Sequence, residues 1–306
     1  MIKKHIYITG SHRSGSSWVG RMLSISGEFL MRDEEIFNVA SEIGCQPFPW
    51  MYTYISQENE KQFYPYIQKC VDMKYDFFKS LSKIESLRDF GRVTKRKFRS
   101  LFRQFNSRFP QIFIEPIGLF STEWFAKKFN THVIVVIRHP ASFVSSLKRL
   151  NWGFNFNHFL DQKNLMKRYL FRFEKEIQNH PQRPDIIGMG ILQWKALYGT
   201  VEILTREHPE WIFVRHEDLA SAPIEEFRKL YEKFNLSFTK KTEEIMNLYT
   251  SPLNVVEFHG KKDNSRRDSR KTVDIWKSRL TAAEIDRIRR EVEPISRSFY
   301  NDHDWS

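Results

Sequence analysis

Between a short apolar run and an amphipathic stretch lies Gly10-Ser11-His12-Arg13-Ser14-Gly15-Ser16-Ser17, and this loop limits the fold more than any other feature of the chain. The run before it, 5–10, alternates and ends on Gly, as a buried strand feeding a turn does. The stretch after it places Trp18, Val19, Met22, Leu23 and Ile25 at helical spacing, with Gly27 where a cap belongs. A strand, a Gly-bounded loop and a helix in that order aim backbone N–H groups and a helix N-terminus at one point, which cradles an anion. The Gly spacing is that of a phosphate-binding P-loop, yet Ser16 stands where nucleotide triphosphatases require Lys. The fixed cation is Arg13 instead, two residues before Gly15.

Further strands are expected at 112–114, 131–137 and 211–214, the last two fully buried. Helices are expected at 122–129, at 140–150 with Pro140 in the favoured first position, at 191–206, and over roughly 223–234, 239–249 and 281–300. Strands alternating with helices predict an α/β fold: a P-loop-type central parallel sheet with helices on both faces. With 41% hydrophobic residues and 27 Phe, the chain can fill the core this requires. No linker, low-complexity tract or repeat divides it, so 1–306 reads as one domain with a mainly helical insert at 45–110 on the expected acceptor side. Cys45 and Cys70 make neither a disulfide framework nor a metal set, and no apolar run approaches a membrane span. The expectation is a soluble, cytoplasmic protein.

Ligands of such sheets bind beyond the carboxyl ends of the strands. There the apolar strand 133–137 delivers Arg138, and Ser146 follows eight residues later in a helix. An Arg beside a Ser hydroxyl near a helix start makes a second phosphate site. Two phosphate sites on neighbouring strand ends match a nucleotide phosphorylated at both the 5′ and 3′ positions, for which ATP has no use. The bridging oxygen of a 5′-phosphosulfate gains charge as its sulfuryl group leaves, and Arg13 with several N–H donors can hold that charge without a metal.

At these residues the chain resembles the P-loop sulfotransferase family, which uses 3′-phosphoadenosine 5′-phosphosulfate (PAPS) and releases 3′,5′-bisphosphoadenosine. Arg13-Ser14-Gly15-Ser16-Ser17-Trp18 resembles the family's 5′-phosphosulfate loop, in the form found in carbohydrate sulfotransferases, and other segments resemble bacterial members. Arg138 and Ser146 match its 3′-phosphate motif. Val214-Arg215-His216-Glu217-Asp218-Leu219 resembles a strand ending in Tyr-Glu-Asp, with His216 in the Tyr place near the adenine. Arg270 and Lys271, ahead of Trp276-Lys277, resemble the basic loop that closes over PAPS. The resemblance implies a cofactor site built from Ser11, His12, Arg13, Ser14, Gly15, Ser16, Ser17, Arg138, Ser146, His216, Arg270 and Lys271.

An acceptor hydroxyl attacking sulfur must lose its proton, so a base should face the sulfate. Two carboxylates fit. Glu35-Ile36-Phe37-Asn38 looks like a Glu-Pro-Phe-Asn segment of bacterial members, and Glu115-Pro116 follows the strand where heparan-type members carry a catalytic Glu. Both stand as candidates, Glu35 first.

The formal charge of +12 is concentrated. Arg92, Lys95, Arg96, Lys97, Arg99, Arg103 and Arg108 occur with no acidic residue among them, and 261–271 carries a net +4. These two segments hold +11 of the total, which predicts anionic partners at defined places rather than a uniformly basic surface. The loop's resemblance to carbohydrate sulfotransferases implies a carbohydrate hydroxyl as acceptor, and the basic 92–108 segment adds an expected contact to an anionic polymer, with no nucleic acid. Two rival readings are an ATP-dependent kinase or ATPase, with Glu115 holding Mg²⁺, and a non-catalytic binder of anionic polymer. The missing P-loop Lys opposes the first, and the two-phosphate constellation is unexplained by the second.

Overall fold

The computed structural model describes residues 3–32, 35–38, 48–72, 109–180, 185–256 and 266–306. In chain order these form β1 (Ile6–Thr9), α1 (Ser16–Ser24), β2 (Leu30–Met31), α2 (Glu60–Val71), β3 (Gln111–Ile114), α3 (Thr122–Phe129), β4 (His132–Ile137), α4 (Pro140–Leu150), α5 (Ile186–Glu207), β5 (Ile212–Arg215), α6 (His216–Ser221), α7 (Pro223–Lys233), α8 (Lys240–Thr250) and α9 (Ala282–Ser296), with short helical turns between them. The strands make one parallel sheet in the order β2-β3-β1-β4-β5.

Side-chain alternation divides the core. Tyr7, Phe113, Val133, Val135 and Ile137 face one side, where α3, α4, α5 and α9 pack. Ile6, Ile8, Ile112, Ile114, Ile134 and Val136 face the other, against α1, α7 and α8. Both faces being covered is why the central strands read as continuous apolar runs rather than alternating ones. The longest helix among the described residues, α5, starts where Asp185 accepts the Gly188 N–H at 2.7 Å, and α9 starts in a Thr281/Glu284 capping box.

Two differences from the sequence expectation stand out. β5 is only half-buried, because among the described residues it is an edge strand paired to β4 alone. The edge strand β2 has two residues, too few for any periodicity to register. Within the expected insert, α2 is a helix, while the basic 92–108 segment and Cys45 lie outside the described residues. No helix among the described residues is long and apolar enough to cross a membrane.

The loop after β1 is tied to the sheet through a glycine. Gly10 has φ 149°, and a Cβ there would stand 2.3 Å from the Val136 carbonyl oxygen, a rigid atom of β4. Gly10→Ala should therefore lower stability by at least about 2 kcal/mol, combining backbone strain with the clash. Gly153→Ala, with open space around its Cβ, should cost no more than about 0.5 kcal/mol. Urea midpoints test the pair, and equal shifts would contradict the packing just described.

Candidate active site

The loops after β1, β4 and β5 open onto one cleft of about 730 Å³. The β1 loop supplies His12, Arg13, Gly15, Ser16 and Ser17 to its wall. Arg13 sits in the left-handed region (φ 65°) and turns its side chain toward α4, where its Nε donates to Ser146 Oγ at 3.0 Å. The two anion motifs expected from sequence thus meet in one place. Ser11 and Ser14 do not line the cleft: both are fully buried, and Ser11 Oγ lies 2.8 Å from the Tyr198 hydroxyl. Gly15 (φ 95°) lets the loop press against His216, whose Nδ1 would be 2.3 Å from a Cβ at that position.

Arg138, at the end of β4, also lines the cleft. Its Nε pairs with Glu217 Oε1 at 3.5 Å in a largely buried contact. Glu217 accepts the His139 N–H at 3.1 Å through the same oxygen and the Tyr300 O–H at 2.9 Å through the other. The Arg138 N–H donates to the Tyr198 hydroxyl at 3.0 Å, and Trp194 Nε1 donates to the Arg138 carbonyl at 2.9 Å. His216 lines the cleft, packs edge-on against Trp18 at 5.5 Å, and has a buried Nδ1 without a hydrogen-bond partner among the described residues. Burial, then the nearby Arg138 and Arg267, hold its imidazole well below the usual range, so it is neutral.

Arg270 and Lys271 lie away from this cleft. Arg270 Nε donates to the Ser221 carbonyl at 3.2 Å, and Lys271 pairs with Asp268 at 3.2 Å. The same segment instead contributes Arg267, Thr272, Ile275 and Arg279 to the wall. Helical turns run over Lys271–Asp274 and Ile275–Ser278 in this segment. Arg149 joins them, on one face with Ser142 and Ser146 of α4. The i, i+4, i+7 spacing of Ser142, Ser146 and Arg149 is the sequence signal that points to Arg149. The cations crowd each other. Desolvation, then Arg267, Arg149 and Arg138, pull the Arg13 guanidinium down to about 10; desolvation, then Arg149, Arg138 and Arg13, do the same to Arg279. Arg13 and Arg279 remain charged at neutral pH, and a multivalent anion relieves the mutual repulsion.

The two carboxylates occupy different positions. Glu115 is fully buried and does not line the cleft; its two oxygens accept the N–H groups of Ile36 at 2.7 Å and Phe37 at 3.1 Å. Burial pushes its carboxyl up, and those two amide donors pull against the shift. Glu35, the preceding residue of that segment, does line the cleft and accepts from Asn38 Nδ2 at 2.8 Å. Burial raises its carboxyl above the ordinary range.

Comparison with known proteins gives a family match and similar solved structures. A model described as "Sulfotransferase family" matches residues 5–240. No curated protein matches the chain. Solved structures similar to it include the sulfotransferase domain from the curacin biosynthetic pathway, 16% identical over 95% of this chain and 98% of that one, with a TM-score of 0.49. The sulfotransferase domain from the Synechococcus PCC 7002 olefin synthase is 13% identical over 97% and 95%, with the same score. Mouse sulfotransferase SULT7A1 complexed with PAP is 9% identical over 98% and 87%, again at 0.49.

The carboxylate geometry makes a stability prediction. Glu115→Gln turns one of two buried acceptors into an N–H₂ facing an amide donor, so it should lose about 2 kcal/mol. Glu35→Gln removes no such pair and should stay within about 1 kcal/mol of the parent. Denaturant unfolding of both variants decides this, and a Glu115→Gln protein as stable as the parent would refute the holding role.

Proposed function

Because the chain belongs to the sulfotransferase family, we propose that its cleft binds PAPS and transfers the sulfuryl group to an acceptor hydroxyl, by in-line displacement with Glu35 as base. The observation that carries this reading is the convergence of Arg13, Arg138 and Ser146 on one cleft wall. Six arginines line that cleft, of which Arg13, Arg138, Arg149, Arg267 and Arg279 lie within mutual electrostatic range, against a single carboxylate, Glu35, among the described residues. This balance suits a ligand with several anionic groups and leaves one group free to take a proton.

In the proposed step Glu35 accepts the acceptor's proton as the acceptor oxygen bonds to sulfur. The bond from sulfur to the bridging oxygen breaks, and its electron pair stays on the 5′-phosphate of bisphosphoadenosine. Arg13 and the orphan N–H groups at the start of α1 hold the charge that collects there. Arg138 and Ser146 grip the 3′-phosphate, which takes no part in bond breaking, and His216 lies toward the base. Glu115 acts at one remove by fixing the backbone of Ile36 and Phe37 beside Glu35. The ATP-dependent alternative needs Glu115 for Mg²⁺, yet both its oxygens are already committed to those amides.

For the acceptor, the reading is a carbohydrate hydroxyl on an anionic glycan. Its support is the Arg-Ser-Gly-Ser-Ser form of the loop and the basic 92–108 segment, whose attraction would act over a Debye length of about 8 Å and weaken with salt.

The direct test is incubation with PAPS and a panel of anionic glycans, neutral sugars and phenols at two salt concentrations, with products weighed for one added sulfuryl group. Anionic glycans should be sulfated, more slowly at high salt; transfer confined to phenols would overturn the acceptor assignment alone. Since Glu35 must be ionised, kcat should be full above its raised pKa and fall as pH drops through it, at a pH above that of an ordinary carboxylate. Glu35→Gln should be inactive yet bind bisphosphoadenosine, and activity in that variant would remove it as the base. Arg13→Ala should lower kcat by about 10²–10³-fold, whereas Arg138→Ala should chiefly weaken bisphosphoadenosine in calorimetry. Identical behaviour of the two variants would contradict the division of roles.

A further inference from the structure

The imidazole of His12 is set by a phenol forty residues away in sequence. Tyr52 is fully buried with its backbone in the left-handed region (φ 62°), and its carbonyl accepts from Gln162 Nε2 at 3.2 Å. The residues after it are pinned as well: the Tyr54 N–H donates to Gln162 Oε1 at 2.7 Å and the Ile55 N–H to Ser121 Oγ at 3.0 Å. The Tyr52 hydroxyl oxygen accepts the His12 backbone N–H at 3.1 Å and lies 2.5 Å from His12 Nδ1. No other acceptor reaches that buried O–H among the described residues, so Tyr52 donates and Nδ1 accepts. The opposite tautomer would strand the phenol proton in a buried site without an acceptor.

With Nδ1 used as acceptor, the ring's proton resides on Nε2. That N–H has no protein partner among the described residues, and His12 lines the cleft with Arg13, Glu35 and Trp152. Phe143 packs edge-on against the ring at 5.2 Å, which limits its rotation. Burial, then the adjacent Arg13, pull the imidazole down to about 3, so it enters any reaction neutral. Such a group cannot serve as a base, because its only basic nitrogen is occupied. It can serve as a fixed, uncharged donor.

We propose that His12 is a catalytic hydrogen-bond donor, whose Nε2–H, held in that tautomer by Tyr52, binds an oxygen of the sulfuryl group in transit. The proposal rests on the sulfuryl-transfer reading above. His12 gives up no proton: the acceptor's proton still goes to Glu35, and the electron pair of the broken bond still leaves with bisphosphoadenosine. A donor placed beforehand toward a group whose charge is redistributing contributes most in the transition state and little to ground-state binding.

The test compares His12→Phe, His12→Gln and Tyr52→Phe by initial rates and by calorimetry with bisphosphoadenosine. His12→Phe keeps a packed ring without a donor, and should lose about 10²-fold or more in kcat while the bisphosphoadenosine Kd stays within about threefold. His12→Gln, whose amide N–H reaches a similar place, should recover at least about tenfold of that loss. Tyr52→Phe frees the tautomer and should fall between parent and His12→Phe. A purely structural role would favour Phe over Gln. Thus kcat of His12→Phe within threefold of the parent, or Gln no better than Phe in folded proteins, would overturn the proposal. A parent protein that fails to bind bisphosphoadenosine or to transfer sulfate would instead take down the underlying reading, and this one with it.

Discussion

A buried polar frame fixes the ends of β1, β4 and β5, and the geometry of the cleft depends on it. The Tyr198 hydroxyl touches Ser11 of the first loop and receives the Arg138 N–H of the second. Glu217, just beyond β5, holds the Arg138 side chain and the His139 N–H on one oxygen and the Tyr300 hydroxyl on the other. Loops that carry arginines into a shared cleft repel one another, and peptide loops alone are too soft to resist. The frame supplies the resistance from below: removing one partner of a buried, hydrogen-bonded ion pair costs about 3–5 kcal/mol. Because Glu217 takes up Arg138 through Nε, the guanidinium's two terminal nitrogens are left to other partners.

The same economy separates the two acidic residues. Glu115 spends both oxygens on backbone amides and so becomes part of the scaffold. Glu35, on the segment that Glu115 holds, keeps a side chain at the cleft in a partly desolvated setting that raises its proton affinity. A base that is poorly solvated and only lightly hydrogen-bonded is better suited to proton removal than a carboxylate locked between two amides. Position relative to backbone donors, rather than residue type, distinguishes them.

Much of the fold was legible because its central strands are short apolar runs bounded by polar turns, as in 133–137 ahead of Arg138. The loop Gly10 to Ser17 and the pair Arg138 and Ser146 were legible because each is local: a strand end, a turn and a helix start lie within a few residues. What was not legible depends on register or on distance. Arg270 and Lys271 were expected at the cleft from their place before Trp276-Lys277, but Arg267 and Arg279 line it instead, while Arg270 bonds the Ser221 carbonyl and Lys271 pairs with Asp268. Tyr52 reaches His12 only after the chain has passed through the intervening segment and β2, and no pattern of residues announces that contact. The different settings of Glu35 and Glu115 were not legible for the same reason, since they turn on where two amide hydrogens point.

The central claim is that two phosphates are held at separate strand ends of one cleft, and phosphorus NMR of 3′,5′-bisphosphoadenosine tests it most directly. On titration with the protein, both resonances should move from their free positions. With Arg138→Ala at saturating ligand, the 3′ signal should return most of the way toward its free shift while the 5′ signal stays displaced. Movement of only one resonance with the unmodified protein, or an equal return of both in the variant, would contradict the account.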